Sequence, residues 1–355
     1  MDVKTVDHVE FYVGDAQQMA YFLCSAFGFR LSGQGGPETG LAGQRSLLLG
    51  QGGIRILLTS GLTPDHPASQ YVARHGDGVA CVALATDDAS GAFDGAVRRG
   101  ARAIAAPRTW RRGDATAVTA TVSGFADVTH RLIERPPGTD EFLPGGIDLI
   151  SPDPDPGENL LDTVDHLAVC LPAGGLAPTV RFYADVFGFA QIFEEHIQVG
   201  EQAMYSEVVQ SPSGGITLTL IAPDPAARPG QIDDFLNAHD GAGVQHVAFG
   251  THDIATAVRT FGDRGARFLR TPPSYYDAIA QRLGSVGLPV DALRAGNILV
   301  DRDHWGEMFQ IFTETTFIRR TFFVELIERR GALTFGSNNI KALYEAKAHE
   351  VGTHV

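Results

Sequence analysis

The sequence predicts an α+β protein of two homologous halves, each built from two repeated units. Three internal repeats carry that reading. VDHVEFYV near the N-terminus returns as VDHLAVCL, and FLCSAFGFR returns as RFYADVFGFA. GDGVACVALATDDASGAFDGAVRRGARAI returns as GAGVQHVAFGTHDIATAVRTFGDRGARFL, and HRLIERPPG more weakly as ELIERRG. These pairings align His8 with His166, Cys81 with His246, and Arg131 with Glu325.

Each unit opens on an alternating strand, runs through a helix that ends at a glycine, and closes with further strands. DDASGAFDGAVRRG and HDIATAVRTFGDRG read as helices, with an Asp near the start, apolar residues three or four apart and a closing Gly. GITLTLIAP alternates as a strand does. PPGTDEFLPGGIDLISPDPDPGENLL is rich in Pro, Gly and Asp and has no period, which marks a linker. The expected domains are 1–138 and 161–355, with 139–160 between them.

The chain has 355 residues, enough for two domains with cores of their own. Its net charge of −14 argues against a nucleic-acid groove, which needs clustered Lys and Arg. No apolar run approaches the roughly 20 residues of a membrane span. The first residues, MDVKTVDHVEFYV, lack the basic and apolar regions of a secretion signal. Three scattered cysteines without a CxxC fit a reducing cytoplasm.

Strand side chains alternate between faces. Val164, His166, Ala168 and Cys170 should therefore share one face, as should Val244, His246 and Ala248, and Phe323, Glu325 and Ile327. Each polar residue then points inward among apolar neighbours. A single buried His is ordinarily a hydrogen-bonded core residue. A buried carboxylate without a partner is very costly. Two His and one Glu at equivalent places in repeated units share one explanation, a divalent metal. Two imidazoles and a carboxylate on one face of the ion, with the other positions open, is the non-haem Fe(II) oxygenase arrangement; zinc uses the same ligand types. The N-terminal half has His8, Cys81 and Arg131 at these places, and a cationic Arg repels a metal. That half is expected to keep the fold with only a vestigial site.

The repeated units resemble the βαβββ modules of the vicinal oxygen chelate superfamily. The second half closely resembles the family of 4-hydroxyphenylpyruvate dioxygenases and 4-hydroxymandelate synthases, through VDHLAVCL, GVQHVAF, MFQIFT, FFVELIERRG and FGSNNIKALYEA. The resemblance implies two open β-barrels with outer helices, Fe(II) held by the C-terminal barrel, and a terminal helix closing over it. It implies a 2-oxo acid substrate that chelates the metal, O2 as co-substrate, and oxidative decarboxylation. A homodimer is compatible with it.

Dioxygenases of the family usually read Pro-x-Asn-Glu-Pro where this chain has Thr219-Leu220-Ile221-Ala222-Pro223. They read Gly-Asn-Phe where it has Asn338-Asn339-Ile340, and carry Asn where it has Cys170. Ile221 and Ile340 are shared with the synthases, so the resemblance favours hydroxylation of the benzylic carbon, giving 4-hydroxymandelate, over ring attack giving homogentisate. That product implies a role in antibiotic biosynthesis. Ser206, Thr219, Gln231 and Gln310 match positions that contact or orient substrate, and Phe312 and Phe335 match ring-packing positions. Gln245 adjoins a ligand but should face away by alternation, where it could support that ligand from behind. A superfamily module that sequesters a ligand without turnover is the reading from another class; an intact His-His-Glu set disfavours it.

Overall fold

The computed structural model describes residues 2–139, 141–150, 158–315, 317–336 and 339–342. The N-terminal half contributes β1 (Val3–Tyr12), β2 (Arg30–Gly35), β3 (Gln44–Gln51), β4 (Ile54–Gly61) and β5 (Gly78–Thr86). It continues with β6 (Ala103–Arg112), β7 (Ala115–Ser123), β8 (Thr129–Glu134) and β9 (Asp148–Leu149). The C-terminal half contributes β10 (Thr163–Cys170), β11 (Ala190–Val199), β12 (Gln202–Gln210) and β13 (Thr217–Pro223). It closes with β14 (Gly243–Gly250), β15 (Leu299–Arg302), β16 (Glu307–Phe312) and β17 (Phe323–Arg330).

Four βαβββ modules result, as the repeats predict. In each, the first strand lies parallel to the fourth: β1 with β4, β5 with β8, β10 with β13, β14 with β17. Modules pair through their first strands, β1 antiparallel to β5 and β10 to β14. The C-terminal sheet therefore runs β11-β12-β13-β10-β14-β17-β16-β15, curling around the strands that carry the expected ligands. Helix Ala16–Phe27 starts on an Asp15 cap that accepts from Gln17 and Gln18, and stops where Gly28 turns left-handed at φ 73°. Gly188 ends the matching segment at φ 74°. Helices Ala89–Arg98 and Ile254–Asp263 are capped by Asp88 and Asp253.

The largest core cluster spans both halves, joined where Phe27 meets Phe261, Phe29 meets Phe249 and Phe11 meets Phe322. No helix among the described residues is long and apolar enough to cross a membrane.

Two expectations change. The 139–160 stretch is not free chain at its start: Phe142, Leu143 and Ile147 bury against Leu48, Leu57 and Ile133, and β9 pairs with β2. The apolar residues hidden in that Pro- and Gly-rich stretch anchor it to the N-terminal sheet. Strict alternation also fails in the ligand strands. The register of β10 with β14 slips between Val164 and His166, and again where Ala168 faces His246 and Val169 faces Val244. Val164 and Val244 consequently pack into the large core instead of sharing the inward face of the histidines. The terminal helix expected from SNNIKALYEAKAHE is helical over 339–342; residues 337–338 and 343–355 lie outside the described residues.

Candidate metal centre

His166 on β10, His246 on β14 and Glu325 on β17 meet inside the C-terminal barrel, all buried, with one ligand atom from each lying within 4.8 Å of the others. Glu325 Oε2 stands 3.3 Å from His166 Nε2 and 3.2 Å from His246 Nε2. Ligands about 2.1 Å from one ion, at right angles, lie about 3 Å apart, so the three atoms fit a single divalent metal. Cross-strand neighbours make room for it. Ala168 faces His246, while Ala248 faces both His166 and Glu325.

Each ligand is oriented from behind. His166 Nδ1 donates to Asp165 Oδ1 at 2.8 Å, which fixes the tautomer presenting Nε2 to the cavity. Arg329 in turn grips both Asp165 oxygens, at 2.7 and 2.9 Å. Gln310 Nε2 donates to Glu325 Oε1 at 2.8 Å, and Gln310 Oε1 accepts from Asn339 Nδ2 at 2.7 Å. One carboxylate oxygen is thus occupied and the other left for a metal. His246 stacks on Phe323 with ring centres 4.8 Å apart, and its Nδ1 lies 3.3 Å from Gln245 Oε1. Burial alone would raise the Glu325 carboxyl and lower the His166 imidazolium. Their mutual attraction outweighs burial, bringing Glu325 down to about 2 and, with Asp165, His166 up to about 9. A cation bound there would take the place of that proton.

All eleven residues singled out from the sequence line one cavity. Ser206, Thr219 and Ile221 come from the neighbouring strands β12 and β13. Gln231 opens helix Gln231–His239, Gln310 and Phe312 lie on β16, and Phe335 and Ile340 follow β17. Phe335 meets His166 edge-on at 5.3 Å. Thr219 Oγ1 is buried with no hydrogen-bond partner, a polar atom left for a ligand.

Sequence reasoning missed Met204 and Ile232, which line the same cavity, and placed Gln245 on the wrong face. Gln245 is the extra residue of the β14 bulge, and a bulge turns its residue out of alternation. The Asp165–Arg329 clamp was missed as well, although the VDH and LIER segments repeated in both halves carry its signal. Its counterparts Asp7 and Arg135 pair in the first half, and His8 Nδ1 lies 2.6 Å from Asp7 Oδ1. There the metal's place is filled by the chain. Arg131 sits 2.8 Å from Glu10 and 3.2 Å from His8 Nε2, Glu10 standing where the other half has Ala168.

Paired βαβββ modules around an inward-facing His-His-Glu set that could hold a metal define a member of the glyoxalase and dioxygenase class. A family model described as Glyoxalase/Bleomycin resistance protein/Dioxygenase superfamily matches residues 5–134 and 163–311. The chain belongs to that superfamily and, within it, to the family of 4-hydroxyphenylpyruvate dioxygenases and 4-hydroxymandelate synthases. A probable 4-hydroxyphenylpyruvate dioxygenase 2 of Aspergillus fumigatus is 35% identical, covering 97% of this chain and 93% of that one. The 4-hydroxyphenylpyruvate dioxygenase of Yarrowia lipolytica is 32% identical, over 97% and 91%. A solved triple mutant of 4-hydroxymandelate synthase from Streptomyces coelicolor is 42% identical, over 99% of this chain and all of that one, with a TM-score of 0.89.

Proposed function

We propose that the protein is a non-haem Fe(II) oxygenase that converts 4-hydroxyphenylpyruvate and O2 into 4-hydroxymandelate and CO2. The reaction balances: the substrate carboxylate leaves as CO2, one oxygen atom joins the former keto carbon as a carboxylate, and the other becomes the benzylic hydroxyl. His166, His246 and Glu325 would hold the metal, which supplies the chelation of the 2-oxo acid and the activation of O2. The side chains do the rest. Asp165 and Gln310 hold ligand orientation, Thr219 and Ser206 offer hydroxyls to the bound acid, and the apolar wall keeps water out.

The single observation that carries the benzylic outcome is the wall itself. Ile221 and Ile340 line the cavity, and both pack on the cluster formed by Ala168, Cys170 and Phe235. The names of the curated relatives favour a second reading, ring hydroxylation to homogentisate. A role in antibiotic biosynthesis and a cytoplasmic location belong to the same proposal.

The test is anaerobic loading with Fe(II), Mn(II) or Zn(II), then oxygen and 4-hydroxyphenylpyruvate, with products separated by chromatography. Fe(II) should give 4-hydroxymandelate, one CO2 per O2, with no added 2-oxoglutarate. Homogentisate as the main product would install the second reading. Tight binding without oxygen uptake by any metal form would leave only a ligand-sequestering role.

A further inference from the structure

The N-terminal barrel has lost the metal ligands but not its interior. A cavity of about 280 Å³ remains there, against about 40 Å³ free beside His166 and His246. We propose that it is a second small-molecule site, taking a monoanionic aromatic acid of one ring and a short side chain.

The polar end is formed by Glu10 and Arg131. Glu10 is 2% exposed, and its Oε1 accepts from Thr59 at 2.8 Å. Its Oε2 lies 2.8 Å from Arg131, yet it is buried without an aligned hydrogen bond. Arg131 spends one nitrogen on Glu10 and one on His8, while a guanidinium carries five N–H donors. Buried polar groups left short of partners inside a cavity point to a ligand that completes them.

Charge selects the ligand. Arg108 and Arg131 line the cavity against Glu10 alone, a balance of one positive charge in a chain whose net charge is −14. An acid is drawn to that spot, and a cation is not. The aromatic wall is Trp110, which is held rigidly. Its Nε1 donates to Thr119 at 2.8 Å, Arg108 lies 3.8 Å over the ring, and a Cβ on Gly146 would fall 2.6 Å from Cζ3. A ring fixed before binding costs little entropy to bind against. The volume sits at the low end of ligand pockets, about 300 Å³, which admits one ring and excludes nucleotides. The exposed edge strand β6 supplies Ala105, Ala106 and Arg108 to the lining, so solvent reaches the cavity there.

The chain's two tryptophans make the test specific. Trp305 is 60% exposed on a loop of the other half, so Trp305→Phe leaves Trp110 as the sole reporter. Metal-loaded full-length protein in that background is titrated with phenylacetate, with benzylamine as a cation of similar size. Phenylacetate should give saturable Trp110 quenching, at least about tenfold tighter than benzylamine. Arg108→Gln, at the exposed rim, should weaken it about tenfold, and Ala106→Phe should abolish it by filling the space. His246→Ala should leave it intact, since that change lies in the other barrel. No saturable quenching, equal affinity for benzylamine, or quenching that survives Ala106→Phe overturns the proposal. Loss of quenching in His246→Ala would overturn it too, by assigning the signal to the metal site.

Discussion

Glu325 divides two tasks between its oxygens: Oε2 faces both imidazoles, and Oε1 is tied to Gln310. Gln310→Leu keeps the volume and frees Oε1 to turn. Outer partners of this kind are worth roughly 10–100-fold in metal affinity. A competitive metal titration should show that loss, with the far-ultraviolet spectrum unchanged; an unaltered Kd would mean that Gln310 merely fills space. Removing a ligand goes further. His166→Ala, His246→Ala and Glu325→Ala should each lose stoichiometric metal and all turnover while remaining folded, whereas Cys81→Ala should do neither. In the cavity wall, Ile340→Phe supplies the aromatic surface that the sequence resemblance associates with ring hydroxylation. A displacement of about 1 Å can cost about 100-fold in a positioned reaction, so some homogentisate should appear beside 4-hydroxymandelate. Overpacking costs about 1–3 kcal/mol, which makes product ratio a cleaner readout than rate. A variant that turns over with an unchanged ratio would transfer the selecting role to Ile221.

The strand pair β10–β14 and its counterpart β1–β5 share two irregularities, at Asp165 and Asp7 and at Gln245 and Ala80, and β1–β5 has a third between Val3 and Val6. Each half therefore retains the geometry that turns three side chains onto one point. What separates them is three residues: Glu10 for Ala168, Cys81 for His246, Arg131 for Glu325. The combined change Glu10→Ala, Cys81→His and Arg131→Glu should give the N-terminal barrel a metal site beside His8. Metal analysis should then find two ions per chain instead of one. A count of one in folded protein would show that the frame has drifted too far to ligate. The modular plan was readable because the repeats preserve sequence at structural points, the glycine helix stops and the Asp-His pair that opens each half among them. The bulges were not, since alternation has no term for an extra residue, and Val164, Val244 and Gln245 were misplaced for that one reason. The start of the linker was misread because three buried apolar side chains weigh little in a composition dominated by Pro, Gly and Asp.

Among the buried histidines between the two barrels, His130 and His239 tie the whole molecule to pH. His130 Nδ1 of the first half donates to Val82 O at 3.1 Å, its Nε2 accepts from the Tyr183 hydroxyl of the second at 2.8 Å, and Phe187 packs on its ring. His239 of the second half stacks on His75 of the first at 4.4 Å, with Tyr71, Asp127 and Arg319 around it. Burial lowers His130 to about 4, and burial with the neighbouring His75 lowers His239 to about 4. An unfolded chain binds protons at these rings with a pKa of about 6.5. Between about 6.5 and about 4 the unfolded state therefore carries more protons than the folded one, and stability falls as pH falls through that window. Each ring contributes on the order of 1–3 kcal/mol to the change. Urea midpoints of the metal-loaded protein should accordingly drop between pH values of about 7 and about 5. His130→Phe should be less stable at neutral pH, because Tyr183 loses its partner, yet less sensitive to acid. An acid slope identical to that of the parent protein would remove His130 from the account and leave His239 to be tested by the same substitution.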